Sequence, residues 1–335
     1  MTLAPCDIND EFPALFSIDK VSAVKAMTGD ASSRKYYRLS TLSGQRFVMQ
    51  VAEAFSGKNS FSYGREIFSL AGVLVPEIMA CSPGKGWMIL EDLGDVCYQG
   101  KLDSKNLSSV LAPLESLFEA NLDELKLKLP EAPQWGWFFD FEKLFNEMLF
   151  FKKHFLEGFL SLKNVDLGFL ENLCRQLDTS PKILCHRDYH TRNLMEHEGK
   201  CYVIDFQDAR LGPASYDWVS ILLDPYSPLP LGLRDEGLSQ FLQLHKNLLN
   251  VTHQNSLKEF WSCGIQRMIK AVGSYASFKN LQGRDEYLTY IVPALTHGAE
   301  AFVKLKELGF VDSKYFDFER SIESWMTEVK KRVKL

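Results

Sequence analysis

The sequence lacks several features that would place it in a well-known class of protein. Its 335 residues carry 38 basic and 43 acidic side chains, a net charge of −5, so it lacks the basic excess of proteins that mainly bind nucleic acid. It has no run of about eighteen apolar residues, the length that a membrane-spanning helix needs. It also has no low-complexity tract and no repeat of fixed period. We therefore predict a globular protein that binds neither nucleic acid nor membrane.

The cysteines do not form the pattern of a disulfide framework either. There are seven of them, an odd number, and no two form a C-x-x-C pair, so we expect reduced and mostly buried thiols. The first residues, "MTLAPCDINDEFPALF", are acidic and show no basic segment followed by an apolar core, so we expect no secretory signal. These features predict a cytoplasmic protein, and we expect it to be a monomer.

Hydrophobic patterning divides the chain into two parts. Residues 35–52 contain two β-rich runs around "LSG", which predicts a hairpin. The segment "SFSYGREIFSLAGV" has helical spacing. The predicted core residues of this helix are Phe61, Ile67, Phe68 and Leu70. Because amphipathic helical patterns dominate from about residue 105 onwards, we predict an α+β, bilobal fold with a β-rich N-terminal lobe (1–94), a larger, mainly helical C-terminal lobe (95–335) and a ligand cleft between them.

The segment "ILCHRDYHTRNLM", residues 183–195, concentrates polar side chains between apolar anchors. Its H-R-D-x-x-x-x-N pattern is followed by Asp205 on the apolar run "YVIDF". Phosphoryl transfer needs one carboxylate that orients the acceptor hydroxyl and takes its proton, and an amide and a second carboxylate that hold Mg²⁺ against the triphosphate. Asp188 fits the first role, and Asn193 and Asp205 fit the two metal roles. This order of residues, after a β-rich lobe, predicts a phosphotransferase.

Other interpretations of these residues explain less. A polar turn with an Asn cap and a buried Asp does not account for the order of the residue types. His186 and His190 are four residues apart, as in a zinc-binding helix, but no Glu follows the first His, and Asp188 and Asn193 would stay unexplained. The segment "SPGKG" at 82–86 lacks the upstream Gly and the following Ser or Thr of a P-loop, so we predict a hairpin turn there.

Two stretches carry a resemblance to a known family. "LCHRDYHTRNLM" together with "YVIDFQDARLGPASYDWVSILLDPY" resembles the aminoglycoside phosphotransferase-like kinases, a branch of the protein-kinase-like fold. Within that branch the chain is most similar to the bacterial anomeric kinases for N-acetylmuramate and N-acetylglucosamine. The likeness extends over nearly the whole chain and includes "TGDASSRKYYRL", "MILEDLG" and "CGIQRMIKAVGSYA".

The resemblance implies a set of functional expectations. ATP would bind between the lobes with Mg²⁺, and its γ-phosphate would pass to the anomeric hydroxyl of an N-acetylated amino sugar. The 1-phosphate product would re-enter nucleotide-sugar synthesis during peptidoglycan recycling. Asp217 matches the acidic residue that anchors the catalytic loop from the following helix, although a helix N-cap is an equal alternative for it.

One position departs from the general kinase pattern. The third strand of a kinase usually carries a Lys that contacts the ATP phosphates and a Glu of the next helix, but "FVMQVA" has Gln50 at the expected place. Arg34, Lys35, Arg38 and Arg65 are the candidate replacements, and a solvated strand face is the alternative for them. Small residues around Gly29 would let backbone N–H groups approach phosphate oxygens. The predicted ATP-binding residues are Gly29, Ser32, Ser33, Arg34, Arg38, Glu66 and Glu91.

The acceptor site is expected around the metal strand and the helix that contains "IQR". Polar side chains there could bind sugar hydroxyls, and Arg267 could pair with a lactyl carboxylate. The predicted substrate residues are Asp188, Gln207, Asp224, Tyr226, Gln266 and Arg267. Two other functions stay open: a kinase for another hydroxyl acceptor (an aminoglycoside, choline or a different sugar), and a catalytically dead nucleotide-binding scaffold, which Gln50 motivates.

Overall fold

The computed structural model describes residues 3–27 and 34–333. The elements of its N-terminal part are α1 (Pro5–Glu11), α2 (Pro13–Phe16), β1 (Val21–Ala26), β2 (Lys35–Thr41), β3 (Arg46–Val51), α3 (Ser60–Leu70), β4 (Ile78–Ser82) and β5 (Trp87–Glu91). The strands form one antiparallel sheet in the order β1-β2-β3-β5-β4. The predicted hairpin is therefore β2 and β3, and "PGK" at 83–85 forms a short 3-10 turn between β4 and β5.

The two faces of the sheet bury different side chains because successive residues of a strand point to opposite sides. Leu39, Met49 and Ile89 pack on one face against a small core that α1 and α2 cover. Val48 and Leu90 alternate with them and line a cleft on the other face. The two short N-terminal helices were not predicted. They close the outer face of the sheet and leave the inner face for the cleft.

Helix α3 confirms most of its predicted core. Phe61, Ile67 and Phe68 are buried, but Leu70 is 46% exposed and its predicted core position was wrong. Leu70 lies nine residues after Phe61, which is half a turn out of phase at about 100° per residue. The buried face of α3 packs on the segment after Asp205, where a Cβ at Gly64 would lie only 3.1 Å from the ring of Phe206.

The larger part of the chain is helical. Its helices are α4 (Leu107–Glu119), α5 (Leu122–Lys128), α6 (Phe141–Phe151), α7 (Gly168–Asp178), α8 (Tyr216–Leu222), α9 (Leu231–Leu249), α10 (His253–Gln282), α11 (Ile291–Glu307) and α12 (Asp317–Val333). Two antiparallel strand pairs flank the polar segments 186–193 and 204–208. They are β6 (Lys182–Cys185) with β9 (Arg210–Pro213), and β7 (Leu194–His197) with β8 (Lys200–Val203). The predicted α+β fold class is confirmed.

The chain crosses from the sheet to the helical part between Glu91 and Tyr98. After the sheet ends, the backbone pairs with β7. The N–H of Glu196 donates to the carbonyl of Val96 (2.8 Å), and the N–H of Tyr98 donates to the carbonyl of Leu194 (3.0 Å). The lobe boundary at residues 94 and 95 stays a prediction. Within residues 3–27 and 34–333, no helix combines the length and apolarity needed to cross a bilayer.

Helix α10 is the central element of the helical part because most of its length is buried and it packs on α6, α8 and α11. Helix α6 continues directly into a π-helical stretch, Lys152–Phe159. Helix α10 crosses the end of α6 at Gly273, where a Cβ would lie 2.7 Å from the Cα of Phe151. Only the smallest residue allows this approach.

We expect Gly273→Ala to lower the free energy of unfolding by about 1–3 kcal/mol, because the added methyl group meets backbone that cannot move without repacking. Gly232→Ala in α9 is the matched control, since nothing lies within 4 Å of a Cβ there. That change should raise the free energy of unfolding by about 0.4–1 kcal/mol. Urea denaturation of both variants checks the prediction. If both changes stabilise the protein equally, the prediction is wrong.

Candidate active site

A cleft of about 640 Å³ lies between the inner face of the sheet and the helical part. The sheet lines it with Arg34, Tyr36, Val48 and Leu90, and residues 91–94 line its edge. The opposite side is formed by the polar loop (residues 186–193), the segment 204–208 and one face of α10. The cleft therefore brings the segments with the H-R-D-x-x-x-x-N pattern and Asp205 together.

The polar loop is fixed from below by Asp217 at the start of α8. One carboxylate oxygen of Asp217 accepts the N–H of His186, and the other accepts the N–H of Arg187 at 3.0 Å. The fully buried His186 ring bonds the carbonyl of Ile204 at 2.9 Å. Arg187 has a φ of +86°, an unfavourable region for a residue with a Cβ. These contacts hold that conformation and turn Asp188 towards the cleft.

Asp188 is surrounded by positive charge. Its Oδ1 accepts hydrogen bonds from Lys270 Nζ at 2.8 Å and Arg267 Nη2 at 3.3 Å, and its Oδ2 lies 3.7 Å from Arg187 Nε. Burial alone would raise the pKa of Asp188, but the charges of Lys270, Arg187 and Arg267 hold it well below its usual range. Asp188 is therefore a carboxylate that faces the cleft in its ionised form.

Asn193 and Asp205 lie side by side in the cleft wall. The amide nitrogen of Asn193 donates to the carbonyl of Asp188 at 2.9 Å, and the backbone carbonyl of Asn193 accepts the N–H of Ile204 at 3.0 Å. Asp205 has a φ of +66° and accepts a hydrogen bond from Gln207 at 2.7 Å. Desolvation by the cleft walls raises the pKa of Asp205 to about 6, with a further contribution from the charge of Asp188.

This pair fits a magnesium ion by its donor chemistry. The amide nitrogen of Asn193 is used by the Asp188 carbonyl, so its oxygen is the atom that can bind a cation. Together with the Asp205 carboxylate this gives two hard oxygen donors, the type that Mg²⁺ prefers. Within residues 3–27 and 34–333, no group of three or more His, Cys, Asp or Glu side chains forms a metal site, so His186 and His190 gain no support as zinc ligands.

One wall of the cleft, which we call the helical wall, combines positive charge with tyrosines. It consists of Arg192 and of the cleft-lining residues of α10 and its neighbours, which are Tyr226, Arg267, Lys270, Ala271, Ser274, Tyr275, Phe278 and Tyr287. The residues of α10 that line it recur at helical spacing and share one face. The guanidinium of Arg192 lies over two tyrosine rings, 4.8 Å from the centre of Tyr226 and 5.6 Å from that of Tyr287. None of these residues is acidic.

On the sheet side of the cleft, β3 has Gln50 at the position where a kinase usually has Lys. Gln50 is buried, and its amide donates to the hydroxyl of Tyr36 at 2.9 Å. Arg34 and Glu91 line the cleft, as expected of nucleotide ligands. Gly29, Ser32 and Ser33 lie outside the described residues.

Three of the charged residues considered for nucleotide binding are paired elsewhere. Arg38 binds Asp92 and Asp95, Glu66 binds Lys58 at 2.7 Å, and neither Arg38 nor Glu66 lines the cleft. Arg65 forms an ion pair with Glu77. Arg38 therefore ties β2 to the connecting segment, and its role in nucleotide binding stays a prediction.

Comparisons with known proteins agree with this geometry. The model of the "Phosphotransferase enzyme family" (APH) matches residues 141–247. A protein from Pseudomonas aeruginosa named N-acetylmuramate/N-acetylglucosamine kinase is 27% identical over 272 residues, which cover 78% of each chain. The chain is a small-molecule kinase. The predicted resemblance and the predicted enzyme class, an ATP-dependent phosphotransferase, are both confirmed.

Solved structures share the fold of this kinase. An ethanolamine kinase from Plasmodium vivax superposes with a TM-score of 0.56 at 13% identity and covers 84% of both chains. The ternary complex of streptomycin, ATP and APH(2″)-IIa superposes with a TM-score of 0.52 at 15% identity, over 86% of this chain and 99% of the other. At such low identities these likenesses establish the fold alone.

The predicted acceptor residues of the kinase divide into two groups. Gln207, Tyr226 and Arg267 line the cleft together with Asp188. Asp224 is fully buried and accepts hydrogen bonds from the N–H and hydroxyl of Thr191, so it supports the polar loop from behind. Gln266 is also fully buried and donates to Glu147 at 3.0 Å. The structure does not bring Asp224 or Gln266 to the cleft surface.

Sequence reasoning missed two cations of the kinase cleft, Lys270 and Arg192. Lys270 lies one turn after Arg267 on α10, so the periodicity that marks one residue also marks the other. Arg192 lies inside the H-R-D-x-x-x-x-N pattern at a position that the pattern leaves open. The sequence pattern therefore points to both positions. The contact of Lys270 with Asp188 and that of Arg192 with the tyrosines depend on tertiary packing, which the pattern does not give.

We expect Asp217→Ala to lower the free energy of unfolding by about 1–3 kcal/mol, because the buried N–H of His186 and the partly buried N–H of Arg187 lose their acceptor. It should also lower kcat strongly, because Asp188 and Asn193 lose their fixed positions. Binding of ATP without Mg²⁺ should change little, since residues 91–94, where we expect the nucleotide, are not touched. Calorimetric nucleotide titration and steady-state kinetics check this. Asp235→Ala on the exposed side of α9 is the control and should stay within about 0.5 kcal/mol of the parent. Normal kcat in Asp217→Ala would contradict the anchoring role.

Proposed function

We propose that this kinase transfers the γ-phosphate of Mg·ATP to the anomeric hydroxyl of N-acetylmuramate and/or N-acetylglucosamine. The product would be the sugar 1-phosphate, and the reaction would serve peptidoglycan recycling in the cytoplasm. The name of the Pseudomonas aeruginosa relative supports the acceptor. The observation that carries the proposal within this chain is the chemistry of the helical wall.

The helical wall disfavours cationic acceptors. An aminoglycoside with several ammonium groups needs carboxylates beyond the base, but this wall offers Arg192, Arg267 and Lys270 instead. A quaternary ammonium such as choline needs open aromatic faces, but a guanidinium already lies over Tyr226 and Tyr287. Like charges in a cleft of low dielectric repel each other strongly. Aminoglycosides and choline are therefore poor acceptors for this site.

An N-acetylated amino sugar suits the same wall. The hydroxyl of Ser274 and the tyrosine hydroxyls can bond the sugar hydroxyls without an open ring face. Arginine binds carboxylates through the edge of its planar guanidinium while its face stacks on an aromatic ring. Arg192 can therefore meet the lactyl carboxylate of N-acetylmuramate, which N-acetylglucosamine lacks.

The positions of the cleft residues support a mechanism. ATP would lie against residues 91–94 with its phosphates towards Asn193 and Asp205, which would hold Mg²⁺. The metal would neutralise phosphate charge there. Asp188 accepts the hydrogen bond of the anomeric hydroxyl, orients it and takes its proton as the new bond forms. In this proposal residues 1–94 and 95–335 act as the two lobes of a monomer.

The catalytically dead scaffold is the second candidate, since Gln50 replaces the usual strand Lys. The first test is phosphate transfer from radiolabelled ATP to four acceptors: N-acetylmuramate, N-acetylglucosamine, choline and kanamycin. We expect a 1-phosphate on an N-acetylated sugar, identified by NMR, and none on the cationic acceptors. Asp188→Asn should lower the rate by about 10²- to 10⁴-fold.

Two results of this test would contradict the proposal. Efficient phosphorylation of choline or kanamycin would make the acceptor class wrong. ATP binding without transfer to any acceptor, with Asp188→Asn identical to the parent, would favour the scaffold.

We expect Arg192→Gln to lower kcat/KM for N-acetylmuramate by about 10- to 100-fold, the effect of losing one charge-assisted bond to a carboxylate. The loss for N-acetylglucosamine should be much smaller. Arg284→Gln is the matched control, because Arg284 lies over Tyr287 (4.8 Å) but does not line the cleft. Equal losses for both sugars would rule out recognition of the carboxylate.

A further inference from the structure

One buried cation has no part in the mechanism above. The side chain of Lys270, in the middle of α10, is 13% exposed, and its Nζ lies 2.8 Å from Asp188 Oδ1. Lysine is rarely so buried because desolvation disfavours its charged form. Burial and the adjacent Arg267 lower the pKa of Lys270 to about 8. A hydrophobic residue would fill this position of the helix at lower cost.

Asp188 has two further cations beside it. Arg267 contacts the same carboxylate oxygen and is fixed by a second hydrogen bond, from its Nε to Ser220 at 3.0 Å. Arg187 lies beside the other oxygen and also pairs with Asp208 at 3.1 Å. Three cations therefore lie 2.8–3.7 Å from oxygens of the Asp188 carboxylate, and Arg187 and Arg267 each have a second polar partner that holds them in place if Lys270 moves away.

The sheet side of the cleft, in contrast, has little positive charge. Within residues 3–27 and 34–91, Arg34 is the one basic residue that lines the cleft. The strand position where a kinase usually has Lys holds the neutral Gln50, which is bonded to Tyr36. The transferring phosphoryl group spreads negative charge over three oxygens, and preorganised cations stabilise it. The helical side of the cleft has an additional positive charge, that of Lys270, which the sheet side lacks.

We propose that Lys270 is a catalytic residue that leaves Asp188 when the acceptor binds and pairs with the oxygens of the transferring phosphoryl group. The proposal rests on the proposed function, since the acceptor hydroxyl must displace the ammonium group from Asp188 Oδ1. Reacting atoms in such a complex lie about 3–3.5 Å apart. The flexible lysine side chain can cover that distance by rotation alone, without movement of α10.

The acceptor oxygen forms a bond to the γ-phosphorus, while the bond from that phosphorus to the β–γ bridging oxygen breaks and its electron pair leaves with ADP. The proton of the acceptor hydroxyl passes to the Asp188 carboxylate. Lys270 keeps all its protons and forms no covalent bond. Its contribution is electrostatic and is largest when the phosphoryl group lies between donor and acceptor.

The test compares Lys270→Met with Lys279→Met in the full chain. Lys279 is on the same helix, 42% exposed and paired with Asp285. The measurements are kcat and the affinities for Mg·ADP with and without aluminium fluoride, which mimics the transferring phosphoryl group. Lys270→Met should lower kcat by about 10²- to 10³-fold and weaken binding of the fluoride complex by a similar factor. Its affinity for ADP alone should stay within about twofold, and Lys279→Met should match the parent.

Two results would overturn the catalytic role. If Lys270→Met lowers kcat but keeps the full gain in affinity from aluminium fluoride, Lys270 only positions Asp188. If both affinities fall equally, its role is in nucleotide binding or folding. Lys270→Arg keeps a cation and should retain part of the fluoride gain, so it tests the proposal if the Met variant does not fold. If the parent phosphorylates no acceptor, the proposed function fails, yet the fluoride comparison still decides the role of Lys270.

Discussion

The carboxylate of Asp217, buried beneath the polar loop, is the constraint on which the rest of the site depends. Its two oxygens hold two consecutive backbone N–H groups, those of His186 and Arg187. That clamp maintains the positive φ of Arg187 and so decides where Asp188 points. Through the carbonyl of Asp188, which the amide of Asn193 contacts, the same constraint fixes half of the metal pair. A single buried acid thus sets the relative positions of the base and the cation ligands.

Much of this arrangement was predictable because it is local. Asp188 and Asn193 are five residues apart, so any fold that presents one to a cleft presents the other nearby. Asp205 follows an apolar strand that pairs next to them, and the chemistry of phosphoryl transfer gives each residue type a role. The hairpin and the long helices were predictable for the same reason, since period-2 and period-3.6 patterns depend only on neighbours in sequence.

What escaped prediction depends on contacts between distant parts of the chain. Asp224 and Gln266 are polar residues that appeared suited to sugar binding, but each satisfies a buried partner, Thr191 and Glu147 respectively. Lys270 contacts Asp188 although some eighty residues separate the two in sequence, so its place in the site depends on how α10 packs against the polar loop. A polar residue in a helix can face a ligand or a buried neighbour with the same local pattern, and only tertiary packing distinguishes the two.

The N-terminal part touches the helical part of the kinase at several places. One is the connecting segment, where residues 96–98 pair with β7. Others lie along and after α3, where Gly64 approaches Phe206, the amide of Gln134 donates to the carbonyl of Ser60, and the N–H of Val203 donates to the carbonyl of Leu74. The two sides of the cleft are thus fastened to each other both through the connecting segment and through α3, and any widening of the cleft has to break or stretch contacts at more than one of these places.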